Sequence, residues 1–208
     1  MPIKKIVDLA SEKKIPVLVD GCQGAPHLKI DMQELGCDFY AISCHKMYGP
    51  TGVGVLYAKK KWLEVLPPYQ GGGGMIEEVK KDSITFPGSP TKFEAGTLQT
   101  AEVVGFSESI RFIQDIGIKN IMTHENKILE YGLEEIKKNN SVKVIGEPKN
   151  RGSIISLIGR IAPVTLDRWV IAKIFVFGVI FFSILSMLIS PFSSTSAKLI
   201  LTPFDFLK

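Results

Sequence analysis

The tetrapeptide Ser43-Cys44-His45-Lys46 closes the apolar run Phe39-Tyr40-Ala41-Ile42 and opens the turn Met47-Tyr48-Gly49-Pro50-Thr51-Gly52. A strand ending in a His-Lys pair, with a Gly/Pro-rich turn behind it, fixes the backbone and leaves room for a flat ligand beside the lysine. A lysine in a partly desolvated pocket loses some of its preference for the charged form, and the neutral amine can form a Schiff base with a carbonyl. Taken alone, the tetrapeptide reads more simply as a solvated loop lysine. Its company elsewhere in the chain changes that reading.

Asp20 ends a second short apolar run, Val17-Leu18-Val19, and Gln23 follows one turn later. A helix, a short loop and a buried strand ending in Asp-Gly make half of an α/β unit. In such sheets functional groups gather just past the carboxyl ends of the strands. Asp20, Gln23, Ser43, His45 and Lys46 are therefore expected at one edge. Pyridoxal phosphate needs these residue types. A carboxylate keeps its ring nitrogen protonated, a lysine holds its aldehyde and shuttles a proton, and hydroxyl and imidazole groups bind its phosphate. An amide such as Gln23 can reach the ring hydroxyl.

The positioning elements are legible around these groups. Ile3, Ile6, Val7 and Ala10 recur at helical spacing, with Pro2 suited to a first turn and an end expected near Lys14-Ile15-Pro16. Asp31 to Gly36 reads as a short helix stopped by glycine. Val53 to Ala58 follows the Lys46 turn so closely that a hairpin, and hence an antiparallel strand, is expected. Lys60 to Leu66 predicts one or two helical turns. Residues 67–98, with Pro67-Pro68 and Gly71 to Gly74, read as loop, interrupted by Phe93-Glu94-Ala95-Gly96-Thr97. Two amphipathic helices should follow: one through Val103, Phe106, Ile110 and Ile113 up to Gly117, and one through Ile121, Ile128, Leu129, Leu133 and Ile136. Val142 to Ile145 and Ser153 to Leu157 read as strands of a second, smaller α+β domain beginning near residue 118.

Composition narrows the classes. A net charge of +4 on 208 residues carries no nucleic-acid signature. Cys22, Cys37 and Cys44 form no CxxC pair and no disulfide framework, so a reducing compartment is expected. No secretory signal is visible at Met1 to Lys5. Residues 158–208 differ from the rest: they hold seven of the twelve phenylalanines, and Ile174 to Ala197 contains no charged residue. About 20 apolar residues can span a bilayer, and Arg168, Trp169 and Lys173 would suit an interface. A membrane anchor is one reading of this atypical apolar tail. A buried helix or strand pair is another. The third, which leads, is an unselected sequence such as translation past a frameshift.

The spacing Asp-Gly-x-Gln-x-x-x-His from Asp20 to His27, then Ser-x-His-Lys-x-Tyr-Gly-Pro-x-Gly-x-Gly from Ser43 to Gly54, is long and specific. With Pro67 to Gly73, Met75-Ile76 and Phe93 to Thr97, it resembles the class V aminotransferase family of pyridoxal-phosphate enzymes. Within that family it resembles most the cysteine desulfurase/selenocysteine lyase branch that serves iron–sulfur cluster assembly. The likeness covers about residues 1–157.

The resemblance implies an α/β fold, part of the fold type I (aspartate aminotransferase-like) large domain at 1–117. The start of a small domain would occupy 118–157 and the tail 158–208. Lys46 would be the catalytic, Schiff-base lysine. Asp20 would pair with the pyridinium nitrogen, Gln23 with the ring hydroxyl, and Ser43 and His45 with the phosphate. Thr97 would contact the phosphate of a neighbouring subunit's cofactor, since the family forms homodimers. No metal is implied. The substrate would be L-cysteine or a similar amino acid, the sulfur acceptor a cysteine or an acceptor protein, and the compartment the cytoplasm.

The family's earlier phosphate loop and ring-stacking histidine, and its later mobile cysteine and substrate-binding arginine, have no match here. Cys22, Cys37 and Cys44 read as small structural side chains rather than as the sulfur acceptor. An inactive, truncated relic, or another lyase or transaminase reaction of the same family, remain alternatives to desulfuration.

Overall fold

The computed structural model describes residues 1–148, 151–160 and 169–175. These divide into two units, Met1–His124 and the residues from Glu125 onward.

The first unit is built on a three-stranded sheet. Helix α1 (Ile3–Glu12) leads to β1 (Leu18–Asp20), the short α2 (Met32–Leu35), β2 (Phe39–Ser43) and β3 (Gly54–Ala58). Strand β2 is central: β1 pairs with it in parallel, Asp20 beside Ala41, and β3 pairs with it antiparallel, Ser43 beside Gly54. The hairpin expected between the last two strands is present. Val19, Tyr40 and Tyr57 share one face by register. Val7 of α1 joins Val19, Cys37 and Tyr40 in a buried cluster there, with Ile3, Val17, Met32 and Leu35 packed around it. Burial of that face, worth roughly 1.5–3 kcal/mol per large side chain, fixes which side of the strands faces in. Helix α2 is stopped as its sequence predicts. Asp31 accepts from Gln33 N and Glu34 N, and Gly36 ends the helix at φ 73°.

Helix α3 (Lys60–Val65) follows β3. The stretch read as loop contains a two-residue antiparallel ladder, β4 (Glu78–Val79) against β5 (Ile84–Thr85), too short to leave a periodic signature. Helix α4 (Thr100–Ile116) ends at Gly117, whose φ of 84° suits glycine. It is followed at once by α5 (Ile118–Lys137).

In the second unit, β6 (Val142–Ile145), β7 (Ile154–Arg160) and β8 (Trp169–Phe175) form an antiparallel meander. Leu129 and Ile136 of α5 bury against Ile155 and Leu157 of β7, with Val142 and Val144 of β6 alongside. Strand β7 runs on through Ile158 and pairs along its whole length with β8. No helix among the described residues is long and apolar enough to cross a membrane. Of the stretch Ile174–Ala197 read as an anchor, Ile174 and Phe175 close β8, and the remainder lies outside the described residues.

Candidate active site

Parallel pairing of β1 with β2 brings Asp20 and Lys46 to the same sheet edge. Asp20 is the last residue of β1; Ser43 is the last of β2, and Cys44–Lys46 continue it as a 3-10 turn. The main chain locks the two ends together, since Gly21 N donates to Ala41 O at 2.9 Å. The turn after β1 then coils on itself, with Gly24 N and Ala25 N both donating to Gly21 O at 2.9 Å. Gln23 is exposed within that turn.

Asp20 is exposed, and its carboxyl is held below the usual carboxylate range. The chief cause is a hydrogen bond from the Cys22 side chain; the Cys22 main-chain N–H, 3.1 Å from Oδ1, comes next. Slight desolvation opposes these, and the nearby Lys46 ammonium adds to them. The carboxylate is thus kept ionised beside a cation. Lys46 itself is half-buried. Ser43 Oγ and His45 Nδ1 lie 2.9 Å apart, a hydroxyl and an imidazole already paired next to the lysine.

The backbone after Lys46 is tightly constrained. Met47 N and Gly49 N both donate to Cys44 O, at 2.7 and 3.2 Å. Tyr48 adopts φ 61°, unusual for a side-chain-bearing residue, and its ring meets Phe112 of α4 edge-on at 5.7 Å. A Cβ on Gly49 would stand 2.3 Å from Cys44 Sγ and 3.0 Å from Ser109 Oγ of α4. Pro50 packs against Gly105 of the same helix. Helix α4 therefore buttresses the loop that carries Lys46.

These groups fit pyridoxal phosphate. The carboxylate held ionised suits a pyridinium nitrogen, the half-buried amine an aldehyde, and the Ser43–His45 pair a phosphate. Thr97 is exposed on the loop before α4 and, among the described residues, makes no hydrogen bond to this group. Cys37 and Cys44 are fully buried, and burial pushes both thiols up; Cys22 is also raised, chiefly by its hydrogen bond to Asp20. None of the three presents an exposed, activated thiolate. The tie of Cys22 to Asp20 goes beyond the expected small structural side chain, although the spacing of two residues just after a strand is the signal of an Asx turn.

Comparison with known proteins points to one family. A family profile described as aminotransferase class-V matches residues 1–163. The chain is 43% identical over 162 residues to a probable cysteine desulfurase of Halalkalibacterium halodurans, covering 78% of this chain and 40% of that protein. It is 44% identical over 154 residues to the cysteine desulfurase of Wigglesworthia glossinidia brevipalpis, covering 73% and 38%. The crystal structure of an Escherichia coli cysteine desulfurase superposes with a TM-score of 0.71 at 35% identity, over 75% of this chain and 39% of that one. The chain spans less than half the length of each of these relatives.

Proposed function

The chain belongs to the aminotransferase class-V family, and from that premise we propose that it holds pyridoxal phosphate at the Asp20–Lys46 edge and serves desulfuration of L-cysteine. The observation that carries this reading is the meeting of an ionised Asp20 and a half-buried Lys46 at adjacent parallel strand ends. When bound, the cofactor supplies an electron sink that weakens bonds to the substrate's α-carbon.

Each residue then has a task. Asp20 keeps the ring nitrogen protonated. Lys46 holds the cofactor and moves a proton at Nζ. Ser43 and His45 donate to the phosphate, and Gln23 donates to the ring hydroxyl from its exposed turn. Thr97 would reach the phosphate held by a second copy in a homodimer. The net reaction converts L-cysteine to L-alanine and passes the sulfur to a thiol. Because Cys37 and Cys44 are buried and Cys22 is tied to Asp20, the acceptor thiol is none of these three. Supply of sulfur for iron–sulfur clusters, in the cytoplasm, is the role we assign to it.

The test is direct. Pyridoxal phosphate mixed with the protein should give a visible absorbance band that Lys46→Ala abolishes. With dithiothreitol present, L-cysteine should then yield alanine, sulfide and oxidised dithiothreitol in equal amounts. A band without desulfuration would leave the binding reading and point to another reaction of the family. No lysine-dependent band would remove the cofactor reading and leave an inactive relic.

A further inference from the structure

We propose that Tyr48 is a positioning residue: its ring, set edge-on against Phe112 of α4, keeps the turn after Lys46 closed and so fixes where the lysine leaves the sheet edge. This rests on the cofactor reading of the same site and goes beyond it by assigning a residue outside the Asp20–Lys46 constellation.

The backbone supplies the first observation. Gly49 N donates to Cys44 O at 3.2 Å, and this bond closes a loop that contains both His45 and Lys46. A closure of this span puts the residue before the donor in the left-handed region. That residue is Tyr48, at φ 61°. Glycine takes such a place at least cost, because a Cβ there crowds the following carbonyl. Two other helix stops in the chain use it, Gly36 after α2 at φ 73° and Gly117 after α4 at φ 84°. Among the described residues only Lys14, exposed just past α1, also combines a side chain with a positive φ. At position 48, two residues from the lysine, the side chain must therefore do something that glycine cannot.

The ring contact shows what that is. The Tyr48 and Phe112 rings lie 5.7 Å apart and are inclined at 63°, the edge-to-face arrangement that aromatic pairs favour. The turn runs along α4 in register. Pro50 lies against Gly105, the space beside Gly49 is bounded by Ser109 Oγ, and Tyr48 meets Phe112. Positions 105, 109 and 112 are four and three residues apart, so they share one face of the helix. Gly49 itself can add no side chain to this contact, since a Cβ there would stand 2.3 Å from Cys44 Sγ. Tyr48 is thus the last grip of α4 on the chain before Lys46. Both rings are about half exposed, at 46% and 50%, so burial alone holds them weakly and the pairing carries the contact.

The experiment uses the full chain carrying Tyr48→Gly, Tyr48→Phe and Phe112→Ala. Amide hydrogen exchange at Met47 and Gly49, the two donors to Cys44 O, is read without cofactor. Tyr48→Gly removes the ring and the left-handed strain together. Its thermal midpoint should stay near the parent's, because relief of strain offsets the lost contact and the freer unfolded chain. Exchange at both amides should nevertheless quicken, and affinity for pyridoxal phosphate should fall about twofold to tenfold, the worth of one aromatic pair. Phe112→Ala should produce the same loosening and the same loss from the helix side. Tyr48→Phe keeps the ring and should match the parent in both. Parent-like exchange in Tyr48→Gly overturns the proposal, since backbone shape alone would then close the turn. So does a loss that Phe112→Ala does not share, or one that Tyr48→Phe shows in full. Faster exchange with unchanged affinity overturns the service to Lys46. If the unsubstituted chain binds no pyridoxal phosphate, the cofactor reading fails separately, and the exchange rates still decide whether the ring holds the turn.

Discussion

The ring of Tyr40 occupies the space that a side chain at position 21 would need, since a Cβ on Gly21 would stand 2.0 Å from both Cε1 and Cζ. Tyr40 is fully buried on β2, so the ring has nowhere to retreat. Gly21→Ala should therefore destabilise the first unit by about 1–3 kcal/mol through overpacking, read as a lower urea midpoint. Tyr40→Ala should cost about 3–5 kcal/mol as a cavity. The double substitution should cost less than the sum, because the small residue at 40 makes room for the methyl at 21. Strict additivity would show that the two positions do not touch.

Ser43 and His45 offer a second test, because their proposed partner is only one part of the cofactor. Pyridoxal lacks the phosphate but keeps the aldehyde and ring. Ser43→Ala and His45→Ala should each weaken pyridoxal phosphate about tenfold or more, as expected for hydrogen bonds to a charged group. The same changes should leave pyridoxal within about twofold, on the reasoning that no bond to it is lost. Equal losses for both ligands would move the pair away from the phosphate.

Asp38 is the buried acid of the first unit, and it gives a pH prediction. Burial alone would push its carboxyl up. Trp62 Nε1 at 2.8 Å and Val17 N at 3.1 Å outweigh that, helped by the Lys61 and Lys59 ammoniums at 3.3 and 3.4 Å, and bring it to about 2. A depressed folded-state value means the stabilisation is complete above the unfolded carboxylate range near 4 and is lost as pH falls through about 2. Asp38→Asn should cost on the order of 1–2 kcal/mol at pH 7, after allowing for solvent around the lysines. The gap between variant and parent, measured by urea unfolding, should shrink steadily between about pH 5 and pH 2. A gap that stays constant over that range would mean the carboxylate charge contributes nothing.

Much of this was legible in the sequence, and the reasons are local. Short β-branched runs closed by Asp20-Gly21 and by the Ser43–Lys46 segment announce strands that end in polar groups. Asp31 and Gly36 bracket α2 with a cap and a stop. The Lys46 turn is too short for a crossover, so β3 had to return antiparallel. What stayed hidden depends on distance or brevity. Trp62 and Val17 meet Asp38 from 24 and 21 residues away, and no spacing rule predicts that. The β4–β5 ladder is two residues long on each side. Strand β8 carries one charge, Lys173, and its last two residues open the uncharged stretch from Ile174, where a strand and a membrane span look alike by composition. At the site, residue type gave Asp20 and Lys46, while the Cys22 tie needed the turn to be seen folded over Ala41 O.

Helix α4 supplies the last prediction, in which two effects of known size oppose each other. Gly105 sits in the interior of a 17-residue helix, where alanine is favoured over glycine by about 1 kcal/mol. A Cβ there would stand 3.0 Å from Pro50 Cγ and 3.2 Å from Cδ. That contact is tight, and the proline ring is rigid, so the loop rather than the side chain must give way. Gly105→Ala should leave thermal stability nearly unchanged, because the helix gain of about 1 kcal/mol offsets the crowding. The displaced loop is the one that follows Lys46, held at Cys44 O by Met47 N and Gly49 N. Pyridoxal phosphate affinity should therefore fall even though the fold persists, and a bulkier Gly105→Val should lower both. If Gly105→Ala gains the full helix increment and binds the cofactor unaltered, α4 does not set the position of Lys46.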